Sequence, residues 1–227
     1  MVTRVFSALF PPSCLICGSQ DDLLKGVCSL CRARIVPLPQ PRCDRCGFPA
    51  GTPGLCMECQ LHPPPFDMMV SAAVFDGLLK DMIHSFKYRK ATVYKKFLAY
   101  LLFEALEPLE LDCDILTFVP LHWTKTITRG YNQAALLARE VSHHMGIAVR
   151  YDVLRKTRMT ASQVGLGAVE RGRNIRGAFS VQGVEGRCVV VVDDVITTGQ
   201  TAREISGALR QAGASVVVFA SVGRMVS

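Results

Sequence analysis

The stretch VVVVDDVITTGQTA, residues 189–202, constrains this chain more than any other. Four consecutive valines read as a strand buried on both faces, and such a strand belongs in a parallel sheet with helices above and below it. The strand runs into two adjacent acids, Asp193 and Asp194, and then into a loop of small and hydroxyl residues. In open α/β sheets, ligands sit where the carboxyl end of a strand turns into a helix. The free N–H groups and dipole of that helix start attract an anion. Thr197, Thr198 and Thr201 add hydroxyl donors, and Gly199 lets the backbone curl towards a phosphate. The turn is not a Walker loop, because the G-x-x-x-x-G-K pattern and its lysine are absent. Two acids beside a phosphate would repel it unless they hold something between them. Ribose hydroxyls are donors that carboxylates accept well, and magnesium adds to such an arrangement. The pattern therefore spells a ribose 5-phosphate. An acid pair that merely caps a helix would leave the hydroxyl-rich loop without a purpose.

The rest of the chain after residue 65 fits the same class. Strands are expected at 68–75, 115–120, 186–192 and 215–222, and helices at 77–88, 92–106, 132–146 and 201–213. Pro108 stops the second helix and Gly146 lies past the end of the third. Alternating apolar strands and helices imply an α/β fold with a parallel sheet covered on both faces. Composition shifts at HPPPF (62–66), a stiff extended spacer. We expect two domains, 1–65 and 66–227.

The first domain is set by cysteine. Eight of the ten cysteines form four C-x-x-C pairs: Cys14 and Cys17, Cys28 and Cys31, Cys43 and Cys46, Cys56 and Cys59. Two such pairs make one tetrahedral structural zinc site, so the simplest reading is two consecutive zinc ribbons with two Zn²⁺ ions. Interleaved pairing, first pair with third, satisfies the same spacing. Iron–sulfur clusters compete for the same ligands. Redox chemistry is disfavoured, because that motif expects a βαβ context. Closed four-thiolate sites leave no open position for catalysis, so the module is expected to grip a partner or stabilise a lid. Cys113 and Cys188 stand alone and read as small buried apolar residues.

Charge locates the ligand. Residues 117–176 hold ten basic and three acidic residues, which is the whole +7 excess of the protein. A basic segment of this density suits a polyanion: phosphates, pyrophosphate or nucleic acid. A solvated basic face is the competing explanation. No segment is long and apolar enough to cross a bilayer, and the short apolar run at the start does not make a signal peptide. A cytoplasmic location is expected, where a reducing environment argues against disulfides.

At this point a resemblance carries further. VVVVDDVITTGQTA resembles the phosphoribosyl pyrophosphate (PRPP) signature of the type I phosphoribosyltransferases. Together with VPLHWTKTITRGYNQAALLA (119–138), LRKTRMTASQVGLGAVERGRNIRGAF (154–179), MIHSFKYR (82–89) and the cysteine pairs, the chain resembles the ComF family of competence-associated proteins over nearly its whole length. The resemblance implies a type I phosphoribosyltransferase fold, similar to amidophosphoribosyltransferases, behind a double zinc ribbon. It implies that Asp193 and Asp194 bind the ribose hydroxyls. Val195, Ile196, Thr197, Thr198, Gly199, Gln200 and Thr201 would wrap the 5-phosphate. Leu121, His122, Trp123, Thr124 and Lys125 would form the pyrophosphate turn, with Arg129 close by. Arg155, Thr157, Thr160, Gln163, Arg171 and Asn174 match a mobile loop that closes over the site. Two positions depart from the family pattern: Tyr131 stands where phenylalanine is frequent, and Lys125 where arginine is common. Lys125 keeps the charge but loses bidentate phosphate recognition.

Two functions follow from this reading. The first is transfer of phosphoribosyl from PRPP–Mg²⁺ to an unknown nitrogen acceptor, with release of pyrophosphate. That chemistry needs positioning, leaving-group neutralisation and exclusion of water rather than a protein nucleophile. His122 is the nearest candidate proton donor, and a structural role suits it equally. The N-terminal cysteine nucleophile of glutamine-dependent amidophosphoribosyltransferases is absent. The second function is the handling of single-stranded DNA during uptake and transformation, with the PRPP site used for binding and the zinc module contacting DNA-uptake proteins. A single tryptophan and five tyrosines offer little for stacking bases, whereas the basic segment suits phosphate contacts.

Overall fold

The computed structural model describes residues 11–121, 130–157 and 177–226. In chain order the elements are α1 (Ser29–Arg32), α2 (Met57–Leu61), β1 (Met68–Val74), α3 (Gly77–Tyr88), α4 (Lys95–Leu106), β2 (Ile115–Phe118), α5 (Gln133–Met145), β3 (Leu154–Lys156), β4 (Phe179–Val181), β5 (Cys188–Ile196), α6 (Gln200–Gln211) and β6 (Val216–Arg224). The main sheet is wholly parallel in the order β1-β6-β5-β2. β5 occupies one of its two central positions, and Val189 to Val192 have no exposure at all. Their side chains alternate between two cores, as the two-residue period of a strand requires. Val190 and Val192, with Val218 and Ala220, face α3, α4 and α5. Val189 and Val191, with Val217 and Phe219, face α6. Each buried valine side chain contributes roughly 1.5–3 kcal/mol of transfer free energy, so this strand anchors whatever stands at its end.

Local chemistry sets the helix boundaries. Asn132 caps α5 by accepting a hydrogen bond from the Ala135 amide at 3.3 Å, which shields one of the orphan donors of the first turn. Gly146 ends that helix in the left-handed region, at φ 70°. The second helix starts later than its sequence pattern suggests, because Thr92–Tyr94 forms a tight 3-10 turn. The strand β5 starts two residues later than the expected 186–192 and ends four residues later, and Asp193, Val195 and Ile196 still pair with β6. The antiparallel ribbon β3–β4 is an element that periodicity did not indicate; its three-residue strands are too short to carry one. Cys113 and Cys188 are half-buried rather than buried, and the Cys113 thiol donates to the Ile115 carbonyl at 3.3 Å.

Residues 11–65 lie against the free side of β1. The Met69 amide donates to the Arg45 carbonyl at 2.8 Å, and the Val74 amide donates to the Val36 carbonyl at 2.9 Å. Gly47 has no room for a side chain, because a Cβ there would meet the Met69 carbonyl. Cys14, Val27, Cys28 and Cys31 are continuous with the core that holds α4. At the opposite edge, the Arg150 amide donates to the Leu116 carbonyl at 2.8 Å.

Candidate functional site

The two acids stand at the carboxyl end of β5, above the valine strand that fixes their height. Asp194 is 6% exposed and forms an ion pair with Lys87 Nζ at 2.9 Å. Asp193 is half-buried, and its Oδ1 accepts from the Asp194 amide at 2.8 Å. Burial drives the Asp193 carboxyl well above the usual range, to about 8; the neighbouring Asp194 charge adds to this, and Lys87 opposes it. Burial works against the charge on Lys87, but Asp194 and then Asp193 outweigh it and raise its pKa. The cluster therefore holds one firm ion pair and one carboxyl that keeps its proton near neutrality.

Beyond the acids the chain turns through Thr197, Thr198 and Gly199 into α6. Gly199 is the N-cap at φ 73°, a conformation that favours glycine, and the first turn of α6 contains no acid. The amides of that turn point out of the helix end, and no acidic side chain within that turn competes for them. The loop and both acids line a cleft of about 330 Å³. All nine residues from Asp193 to Thr201 border it, as does Leu121. Arg155 and Thr157 stand on or beside the β3–β4 ribbon and do not border the cleft, whereas Lys156 between them does. The two-residue period of β3 accounts for this, since neighbouring side chains take opposite faces. His122, Trp123, Thr124, Lys125, Arg129, Thr160, Gln163, Arg171 and Asn174 lie outside the described residues.

Sequence reasoning missed Lys87, Tyr88, Lys156 and Phe179, all of which line the cleft. Lys87 follows directly on the buried apolar stripe of α3, where a lysine at a helix end reads as solvated. The available signal was the segment MIHSFKYR, which the resemblance marked without giving it a task. The segment GYNQ also gains a task. The Tyr131 hydroxyl donates to the Phe86 carbonyl, Gln133 Nε2 donates to the Lys87 carbonyl at 3.4 Å, and Asn132 Nδ2 donates to the Val119 carbonyl at 3.0 Å. These three side chains tie the end of α3, which carries Lys87, to the strand end before Leu121.

The eight cysteines form two clusters, Cys14 with Cys17, Cys28 and Cys31, and Cys43 with Cys46, Cys56 and Cys59. Within each, the sulfurs lie within 4.8 Å of one another, which excludes the interleaved pairing. The clusters fit a tetrahedral thiolate site. The Cys28 amide donates to Cys14 Sγ at 3.4 Å, and the Cys56 amide to Cys43 Sγ at 3.3 Å. Burial opposes ionisation of Cys14 and Cys43, but amide donors around each sulfur prevail and bring both thiols down to about 6. Residues 5–60 match the family described as "Double zinc ribbon domain", which makes these two four-cysteine zinc sites.

The whole chain has relatives too. It is 35% identical over 215 residues to the DNA utilization protein YhgH of Salmonella typhi, covering 91% of this chain and 94% of that one. It is 33% identical over 212 residues to competence protein F of Haemophilus influenzae, covering 88% and 91%. The chain belongs to the competence protein F family. The alignment with these members of the competence protein F family runs over about nine-tenths of the chain. Among solved structures, the glutamine PRPP amidotransferase of B. subtilis aligns at 27% identity over 55% of this chain and 25% of that one. Its TM-score is 0.38, too partial a likeness to add to the fold described above. No helix among the described residues is long and apolar enough to cross a membrane.

Proposed function

We propose that the cleft binds PRPP with Mg²⁺ and that the protein transfers its phosphoribosyl group to a nitrogen acceptor, releasing pyrophosphate. One observation carries this reading: an adjacent acid pair, ion-paired to Lys87, stands directly before a hydroxyl loop and an open helix N-terminus in one cleft. The loop residues Thr197 to Thr201 would hold the 5-phosphate through amides and hydroxyls. Asp193 and Asp194 would accept the ribose hydroxyls, with Lys87 holding Asp194 in place through their ion pair. Lys156 at the cleft and the basic residues Lys125 and Arg129 would neutralise the departing pyrophosphate. Magnesium supplies further neutralisation on the substrate oxygens. Under this reading residues 66–227 carry the transfer site, residues 1–65 form the zinc module, and the protein works in a reducing cytoplasm.

The second reading is the handling of single-stranded DNA, with the PRPP site serving to bind. Two observations favour it: the names carried by the relatives, DNA utilization protein and competence protein, and the concentration of the +7 excess in residues 117–176. Titration with PRPP–Mg²⁺ and with single-stranded DNA at two salt concentrations separates the readings. Saturable PRPP binding, lost in Asp193→Asn/Asp194→Asn, together with pyrophosphate release on adding an amine or base, supports transfer. Unchanged PRPP binding by that variant refutes the ribose assignment. DNA binding that weakens steeply with salt and ignores the acid pair supports the second.

A further inference from the structure

Arg224, the last residue of β6, is 7% exposed. No carboxylate among the described residues pairs with it. Its Nη1 donates to Met69 Sδ at 2.6 Å, its guanidinium stands 5.6 Å from the centre of the Phe48 ring, and its Nε has no partner. A thioether and a ring face are weak partners for a guanidinium. Taking a full positive charge out of water is strongly unfavourable unless an anion answers it. Both partners belong to the surroundings of the second cysteine cluster: Phe48 stands two residues after Cys46 and its carbonyl accepts from the Cys43 amide at 2.9 Å, and the Met69 amide donates to the Arg45 carbonyl at 2.8 Å. Four thiolates around one Zn²⁺ leave a net negative charge on the site. Both halves of the problem, a buried cation without an anion and a metal site with surplus negative charge, are thus found side by side.

We propose that Arg224 is the counter-charge of the second zinc site, the one formed by Cys43, Cys46, Cys56 and Cys59. It is a positioning residue, since its side chain does not line the cleft. Its placement also ties the metal to the cleft mechanically. Arg224 pairs with Ile196 at the end of β5, and the Met225 amide donates to the Ile196 carbonyl at 2.9 Å. Met69, which receives the guanidinium, puts its methyl 3.8 Å from where a Cβ on Gly199 would stand. Loss of the second zinc would leave a bare charge directly under the loop that follows β5. The first zinc site has no buried arginine of this kind among the described residues: Arg32, beside Cys31, pairs with Asp22 at 2.7 Å.

The test uses the zinc-loaded full chain and the variants Arg224→Met, which keeps the volume and removes the charge, and Arg224→Lys, which restores a charge. Zinc release to a chromogenic chelator is followed for both equivalents. One equivalent should leave about 10-fold faster or more from Arg224→Met, the other at the wild-type rate, and Arg224→Lys should recover part of the difference. The sign of the stability change gives an independent check. Arg224→Met should melt below wild type when loaded, and above wild type after both are stripped with chelator, because the bare cation is then the liability. Equal release of both equivalents from wild type and Arg224→Met overturns the proposal. So does a loss of stability that is the same with and without zinc, since that is the signature of packing alone.

Discussion

Replacing Asp193 by asparagine should make the protein more stable, and by an amount that grows with pH. In the folded chain burial and the Asp194 charge raise this carboxyl from an ordinary 3.8 to about 8. Between those two values the unfolded chain has lost the proton and the folded chain still holds it. The folded state then binds more protons, so stability falls as pH rises through the window, and below it both states are protonated and the effect vanishes. At pH 7 the gap between the unfolded carboxyl and ambient pH is about three units, a ceiling of ~4 kcal/mol. Asp193 is half-buried and borders the open cleft, so water relieves part of this, and about 1–2 kcal/mol is the expected gain for Asp193→Asn. For a chain of this size that is ~3–6 °C in Tm. Thermal unfolding of variant and wild type, followed by circular dichroism at pH 5.5, 6.5 and 7.5, reads it directly. Taking the difference between the two proteins cancels any zinc lost in common. A gain that does not depend on pH, or a loss at every pH, refutes the reasoning. The same variant should bind PRPP–Mg²⁺ much more weakly, so that stability and binding move in opposite directions.

Three further outcomes follow from the same geometry. Lys87→Met leaves Asp194 buried without its cation and should cost about 3 kcal/mol in urea unfolding at pH 7, most of it recovered in Lys87→Met/Asp194→Asn; a single variant as stable as wild type would contradict the ion pair. PRPP–Mg²⁺ binding should expel the proton from Asp193, so calorimetric enthalpies at pH 7 should depend on the ionisation heat of the buffer, and should cease to do so in Asp193→Asn. Metal analysis of the purified protein should give two zinc atoms per chain, falling to one in Cys43→Ser/Cys46→Ser, with the first site still filled.

Much of this was legible in the chain because the features concerned are local. The valines of β5 announce burial through an unbroken apolar run, and the C-x-x-C spacing announces a metal knuckle within four residues. The loop from Thr197 to Gly199 advertises its helix start through residue type alone. Lys87 was not legible, since its partner Asp194 is more than a hundred residues away and nothing local distinguishes it from a solvated lysine at a helix end. The choice of Lys156 over Arg155 depends on which face of a three-residue strand turns inward, and so short a strand has no period to read. Arg224 likewise looks like an ordinary charged residue ending an apolar strand; only its tertiary neighbours reveal that it is sealed from water.

The hydrogen bonds from β1 to Arg45 and Val36 have a consequence for the life of the protein under metal starvation. An uncovered β1 would present a row of unpaired backbone donors and acceptors on an apolar strand, which is a template for another copy of the chain. The cysteine knuckles hold the segment that occupies that row. Zinc would therefore act as a solubility device as well as a structural one, and stripping it should make copies of the chain assemble edge to edge before the helices melt.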